Sequence, residues 1–289
     1  MNREAKEDLD MAVSSVPLSR RAGGWLCRTV RRGLWFGILA CACAAATTAR
    51  ADFDAGWQAY QRGDFALAVA EWWPLAEDGH ALAQYNMGVI YDEGRGVEPN
   101  RSQAIEWWTK AADQGLPIAQ HNLALMYIDT LDEPPDIGRA IQLLEKASAK
   151  GFVQSSYSLA KIYVDGVGVP KDEDKGFALM FAAGKAGFDK AQYNLGKMYR
   201  DGRGVTADQP QAAKWFRIAA EQGYAKAQNK LAIIYSKGRG VEPDDVEALK
   251  WAILADRQGY GEAKENRAAL TERLSAEQIA KAKELADMF

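Results

Sequence analysis

The feature that most restricts the fold is a period of 36 residues that runs without insertion through most of the chain. Tyrosines recur at Tyr91, Tyr127, Tyr163, Tyr199 and Tyr235, and glycines at Gly115, Gly151, Gly187, Gly223 and Gly259. Ala111, Ala147, Ala183, Ala219 and Ala255 keep the same step, as do Met87, Leu123, Leu159, Leu195 and Leu231. The segments AQYNMGVIYDEGRGVEP (83–99) and AQYNLGKMYRDGRGVTA (191–207) are near copies. Repetition at a fixed step marks a supersecondary unit that stacks on its own copy, because one unit alone leaves a face bare. Five units cover residues 83–262, divided as 83–118, 119–154, 155–190, 191–226 and 227–262.

Within a unit the apolar residues fall at helical spacing. Ala83, Met87, Ile90 and Tyr91 form one stripe, the face of a helix A. A turn with Gly94 and Gly96 follows, and then a proline or polar stretch that blocks continuation. Ala104, Ile105, Trp108 and Ala111 form the stripe of a helix B that Gly115 ends. The spacing predicts an all-α chain of antiparallel helix pairs, with small residues such as Gly88 and Ala104 letting the helices approach. Trp107, Trp215 and Trp251 share one repeat position with Leu143 and Leu179, so that slot asks for bulk in the core. Trp73, next to Pro74, takes a variable slot and reads as an outward contact beside a bend.

Altered hairpins flank the array. Residues 52–82 predict an N-terminal cap, with helices at Ala55–Tyr60 and Phe65–Trp73 turned at Gln61–Asp64. Residues 263–289 predict a C-terminal cap: a sixth A helix over Ala263–Leu274, then a capping box of Ser275 and Gln278 opening a last helix. In the second of the five units, Asp129 to Pro135 replaces the glycine turn, so that loop is expected to differ in conformation.

The first 51 residues have another character. Arg28, Arg31 and Arg32 precede the apolar run Leu34–Ala46, and Ala49-Arg50-Ala51 supplies a small-x-small pattern, so a signal peptide cut between Ala51 and Asp52 is expected. The acidic opening does not suit a signal, and Met11 is an alternative start. The apolar run is short for a membrane span, which places the protein in the periplasm without a stable span after cleavage. Arg31-Arg32 before Gly33-Leu34-Trp35 is a weak twin-arginine pattern and Cys41 a weak lipoprotein one, leaving a lipoprotein or signal-anchored form as alternatives. Net charge is -3, and the first 51 residues hold eight of the 36 basic but only four of the 39 acidic side chains, so the remainder is more acidic. No nucleic acid is expected as partner, since phosphate neutralisation needs a concentrated basic face. All three cysteines, Cys27, Cys41 and Cys43, precede the cut, leaving no thiol for a disulfide, a zinc site or a nucleophile.

The pattern AQYNLGxxYxxGxGV followed by AxxWxxxAAxQG, repeated every 36 residues over about 55–264, resembles the SEL-one-like repeat (SLR) family, a branch of the tetratricopeptide-type helical repeats. The resemblance implies a right-handed α-solenoid whose concave side, lined by A helices, binds proteins or peptides, and it implies no reaction. Bacterial proteins of this kind serve as exported assembly factors, as scaffolds for secretion or polysaccharide export, and as partners restraining envelope sensor kinases. A cysteine-rich subgroup is linked to β-lactam binding, and this chain lacks its cysteines.

Helix A positions beside the buried stripe are the candidates for a protein or peptide groove. One series is Asn86, Asn122, Ser158, Asn194 and Lys230, whose amides suit a peptide backbone. Three series vary along the chain: Tyr85, His121, Tyr157, Tyr193, Asn229; Val89, Leu125, Lys161, Lys197, Ile233; and Asp92, Ile128, Val164, Arg200, Ser236. They predict an apolar pocket at Leu125, Ile128 and Val164 beside a carboxylate site at Lys161, Lys197 and Arg200.

Catalysis needs converging groups, and none converge in the sequence. His80 and His121 lack metal-ligand spacing, and His80 reads as the end of a helix. Glu93-Gly-Arg-Gly-Val-Glu98 follows a helix and lacks a third glycine, so its glycines serve a turn and not a dinucleotide. Asp244-Asp245 sits at a helix start, where it complements the dipole. The expectation is a non-enzymatic adaptor, scaffold or regulator of the cell envelope with no cofactor or metal. The alternative is an envelope hydrolase or a β-lactam- or peptidoglycan-binding protein.

Overall fold

The computed structural model describes residues 51–129 and 134–289, and residues 1–50, where a signal peptide is expected, like positions 130–133 of the glycine-poor loop, lie outside them. Fourteen helices and no strand occur among the described residues. They fall into two compact units divided between Trp107 and Trp108. The first holds α1 (Phe53–Gln61), α2 (Phe65–Glu77), α3 (Ala81–Glu93) and the start of α4 (Arg101–Asp113). Its core joins Ala59, Ala68, Trp72, Ala76, Ala83, Met87, Ile90 and Trp107.

The second unit continues with α5 (Pro117–Ile128), α6 (Ile137–Ala149), α7 (Val153–Asp165), α8 (Glu173–Lys185), α9 (Asp189–Asp201), α10 (Gln209–Glu221), α11 (Ala225–Lys237), α12 (Asp245–Arg257), α13 (Gly261–Arg273) and α14 (Ala276–Asp287). Each hairpin's B helix packs on the next hairpin's A helix: α6 on α7, α8 on α9, α10 on α11, α12 on α13. The alanines at 111, 147, 183, 219 and 255 are all buried. α14 lies against α12, where the Arg257 guanidinium donates to the Ala286 carbonyl and pairs with Asp287. Its capping box forms as expected, with Ser275 and Gln278 bonding reciprocally at 2.9 and 3.2 Å.

Three devices, each repeated, hold the hairpins. The first is the B-helix cap: Asp136, Asp172, Asp208 and Asp244 accept from backbone N–H groups in the first turn at 2.9–3.0 Å, as Asn100 does in the first unit. The backbone N–H of each cap residue donates to the carbonyl of the periodic tyrosine, for example Asp208 to Tyr199 at 2.8 Å, which sets the reach of the turn. The tyrosine period thus marks the hairpin's closure as well as its core.

The second device is an amide clamp. Gln84, Gln120, Gln192 and Gln228 donate Nε2 to the carbonyls of Ala76, Ala112, Gly184 and Ala220 at 3.0–3.2 Å, tying each A helix to the end of the preceding B helix, whose last carbonyls lack helical partners. At the equivalent positions Ser156 and Ser148 bond through their hydroxyls at 2.7 Å instead of reaching a carbonyl. In the later repeats a B-helix glutamine satisfies the clamp's oxygen: Gln222 donates to Gln192 at 2.6 Å and Gln258 to Gln228 at 2.7 Å. Lys150 occupies that slot for Gln120 and donates instead to the Gly115 carbonyl, leaving Gln120 Oε1 buried without a partner among the described residues.

The third device is the second glycine of the turn. Gly204 has φ +65°, and a Cβ there would press into the carbonyl of Glu173 at the start of α8, so the turn seats on the preceding hairpin only without a side chain. The A helices α3, α7, α9 and α11 all end on a left-handed glycine, whereas α5 ends on Asp129 at φ -99°, in keeping with the distinct loop expected there.

Some boundaries differ from the sequence reading. A helices start two residues before the stripe, because the bulky residues Leu116, Phe152, Phe188 and Tyr224 take the cap position and pack there. α2 runs through Pro74 to Glu77 instead of stopping at Trp73. His80 opens α3 rather than closing a helix, its Nδ1 accepting from the Ala83 N–H at 3.2 Å.

Two stability predictions follow from these contacts. Gly204→Ala adds a clash to backbone strain of about 1–3 kcal/mol, whereas Gly223→Ala, with φ +89° and open space around it, carries the strain alone. Urea denaturation is expected to rank Gly204→Ala as the more damaging, and equal losses would contradict the seating of the turn. Lys150→Gln supplies the missing donor to Gln120 and is expected to raise the unfolding free energy by about 1 kcal/mol, a gain that Gln120→Ala abolishes.

Candidate functional site

The candidate positions lie on the A helices, and their burial sorts them. Tyr85, His121, Tyr157 and Asn229 are buried and Tyr193 half-buried. Three of them meet the aromatic cap residue of the next A helix: His121 with Phe152, Tyr157 with Phe188 and Tyr193 with Tyr224, at ring separations of 5.2–5.4 Å. This series is packing between hairpins, which corrects its assignment to ligand specificity.

The expected apolar pocket is likewise interior. Ile128 packs with Ile137, Ala140 and Leu144, and Leu125 lies partly buried against that cluster. Val164 belongs to the core with Met180 and Leu195, pressed on Gly176 of α8. These side chains complete the B-helix contact instead of facing a ligand.

The asparagine series divides. Asn86 and Asn122 are buried with Nδ2 atoms that find no acceptor among the described residues, and Asn194 Nδ2 donates to the Lys190 carbonyl at 2.9 Å and to the Tyr157 hydroxyl at 3.3 Å. A continuous exposed amide ladder is therefore absent. Val89 is half-buried and Asp92 exposed on α3. Ala51 and Asp52 precede α1, where the Asp52 side chain caps the helix and its N–H donates to Glu71 Oε2 at 2.9 Å.

The basic members stay at the surface. Lys161, Lys197 and Arg200 are half-buried, with Lys161 Nζ 5.9 Å from the Tyr157 ring centroid and Lys197 Nζ 5.8 Å from that of Tyr193. Arg200 makes two 2.6 Å bonds to Asp201. Lys230, one unit on, joins this group: burial pushes its ammonium below the ordinary lysine range, and the charges of Arg200 and Arg239 add to that against the pull of Glu262 and Asp201. The cations thus outweigh the carboxylates at that point of the A-helix face.

Beside Lys230 a small cavity of about 190 Å³ opens between α11 and α13, lined by Ala232, Ile233, Ser236, Lys237, Asn266, Ala269, Leu270 and Arg273. Ile233 and Ala269 continue the series of Lys161 and Lys197, Ser236 that of Arg200, and Asn266 that of Asn194 and Lys230. One register of the A helices therefore carries both the cations and the cavity. Ala269 and Asn266 escaped the sequence reading because the series were stopped at the fifth unit, although the period extends one step further.

Trp73 is exposed as expected, with its ring edge-on to Trp107 at 5.6 Å. Phe181, three periods on, is also exposed and meets Trp215 in the same way at 5.7 Å. Trp107, Trp215 and Trp251 are buried. Among the described residues no three His, Cys, Asp or Glu side chains are grouped to hold a metal ion, and no helix is long and apolar enough to cross a membrane.

His121 adds a pH dependence. Its Nδ1 lies 2.9 Å from Ser155 Oγ, its Nε2 has no partner among the described residues, and burial pushes its pKa down to about 4. The unfolded chain, with an ordinary histidine, binds the proton first as pH falls, so stability present above about pH 6.5 is lost between there and about pH 4, by up to about 3 kcal/mol. His121→Tyr, the residue used at Tyr157, is expected to flatten urea-denaturation stability between pH 7 and 5, and an unchanged slope would contradict the assignment.

Five consecutive blocks, residues 81–116, 117–152, 153–188, 189–224 and 225–260, match the Sel1 repeat family. The chain is similar to a Sel1 repeat protein from Oxalobacter formigenes of known crystal structure, at 26% identity and a TM-score of 0.68, with 81% of this chain and 94% of that one covered. It also resembles the immunity protein PA5088 from Pseudomonas aeruginosa in fold, at 21% identity and a TM-score of 0.51 over 72% of this chain and 83% of that one. No curated protein matches the sequence. With its five matched blocks spanning most of the described helices, the chain belongs to the Sel1 repeat family.

Proposed function

We propose that this Sel1 repeat protein is an exported, non-catalytic adaptor that binds a protein or peptide through the A-helix face of its second unit. The observation that carries the reading is the shared register: Lys161, Lys197, Arg200 and Lys230 line up with the residues that open the cavity between α11 and α13. Repeats of this family generally mediate protein binding. A surface built from one helix face, with charged and apolar patches spread along several units, suits an extended or helical segment of another chain and not a reaction centre.

Export to the periplasm rests on the basic, apolar and small-x-small order of residues 28–51. The hydrogen bond from the Asp52 N–H to Glu71 supports a processed N-terminus there, since an ammonium freed by cleavage after Ala51 would meet a carboxylate already in place. Within the envelope the protein would serve as a scaffold of a larger assembly or as a regulator of its partner.

Affinity capture from an envelope fraction with the full chain, beside a Lys161→Glu, Lys197→Glu, Arg200→Glu variant, tests the binding face. The parent is expected to retain a partner that the variant loses by about tenfold or more, with the difference shrinking at high salt. Equal capture by both would contradict the reading. Mass spectrometry of the chain recovered from the envelope is expected to give an N-terminus at Asp52, and an intact leader would contradict cleavage.

A further inference from the structure

The cavity between α11 and α13 has the dimensions of a side-chain socket. At about 190 Å³ it falls below the roughly 300–1,000 Å³ typical of small-molecule sites. Ala232, Ile233, Ala269 and Leu270 line it with hydrocarbon, while Ser236, Lys237, Asn266 and Arg273 contribute polar groups. Arg273 is fixed by bonds of 2.8 Å to Ser236 and Asp245, and Asn266 by one of 2.7 Å to Asn229. These bonds hold the polar lining in place before any ligand arrives, which lowers the ordering cost of binding.

Cations stand on both sides of the socket. On one side lies Lys230, then Arg200 and Lys197 in the preceding unit, and on the other the exposed Lys237. Burial is the largest cause that lowers the Lys230 ammonium, and Arg200 and Arg239 add to it against the carboxylates Glu262 and Asp201. In a chain of net negative charge such a basic strip is a local exception, and an approaching acidic segment would relieve its mutual repulsion.

We propose that the A-helix face of the second unit recognises an acidic peptide segment carrying one aliphatic or aromatic anchor residue, with the anchor in the α11–α13 socket and the carboxylates along Lys230, Arg200 and Lys197. This rests on the reading of that face as protein-binding and specifies the chemistry of the partner. Packed helices lie about 8–10 Å apart, a distance covered by about three residues of extended chain, so acidic residues are expected about three positions from the anchor. Arg200 would exchange Asp201 for a ligand carboxylate, while Lys197 and Lys230 would add point charges.

A random dodecamer peptide library displayed on phage and selected on the full chain tests this. The expected selection is rich in Asp and Glu about three positions from Leu, Ile, Phe or Met. A fluorescein-labelled peptide of the selected sequence is then expected to lose about tenfold or more in affinity when its anchor becomes Ala, when the protein carries Lys230→Glu with Arg200→Glu, and when Ala269→Trp fills the socket. Leu67→Glu, on the exposed face of α2, is expected to change nothing. Thermal melts monitor folding, and the anchor→Ala peptide on the unaltered protein carries the test should Ala269→Trp unfold. Peptides without acidic bias that still lose binding on Ala269→Trp or Lys230→Glu would overturn the acid-and-anchor specificity and leave the binding face standing. Peptides indifferent to every A-helix variant, or an empty selection, would overturn both.

Discussion

Everything in the fold depends on the contact between the B helix of one hairpin and the A helix of the next, made across a column of alanines. A pair of 13-residue helices buries one face between its members and leaves another bare, and the neighbouring hairpin brings an apolar surface at the right spacing. At Ala147, Ala183, Ala219 and Ala255 the methyl groups are buried, and at Ala183 and Ala219 the backbones approach closely enough for Gln192 and Gln228 to reach a carbonyl across the gap. A larger residue there would push the helices apart and cost both the packing and the clamp. The period is therefore a spacing constraint written into the sequence.

That constraint also decides which residues are free for binding. In each A helix one side faces its own B helix, another faces the preceding hairpin, and a third strip is left over. Ile128 and Val164 show how narrow the strip is, since two apolar residues at one repeat position turn inward while Arg200, at the same position, stays half-buried at the surface. Where the strip carries lysines it becomes a charged wall, and where it carries Ile233 and Ala269 it opens into a socket. Binding specificity in such an architecture comes from substitutions on a repeated face, with no rearrangement of the hairpins.

The fold was legible from spacing alone: tyrosine, glycine and alanine periods located every hairpin of the array, and the Ser275–Gln278 capping box was visible as a motif. The site was legible only in part. Lys161, Lys197 and Arg200 could be placed on one helix face because charge is seldom buried unpaired, which makes a lysine a dependable marker of the surface. Apolar and aromatic residues carry no such mark. Tyr157 and His121 differ between units as ligand-contacting residues do, yet each packs on the phenylalanine that caps the next A helix, Phe188 in one case and Phe152 in the other. Periodicity shows that two positions are equivalent, and only the packed structure shows which neighbour each one answers to.

The claim that the A-helix strip of the second unit is the working surface is tested most directly by hydrogen–deuterium exchange of the full chain with and without its captured partner. The account predicts new protection concentrated in Val153–Asp165, Asp189–Asp201, Ala225–Lys237 and Gly261–Arg273, with the B helices between them unchanged. Protection confined instead to the B helices around Phe181 and Trp215 would contradict it.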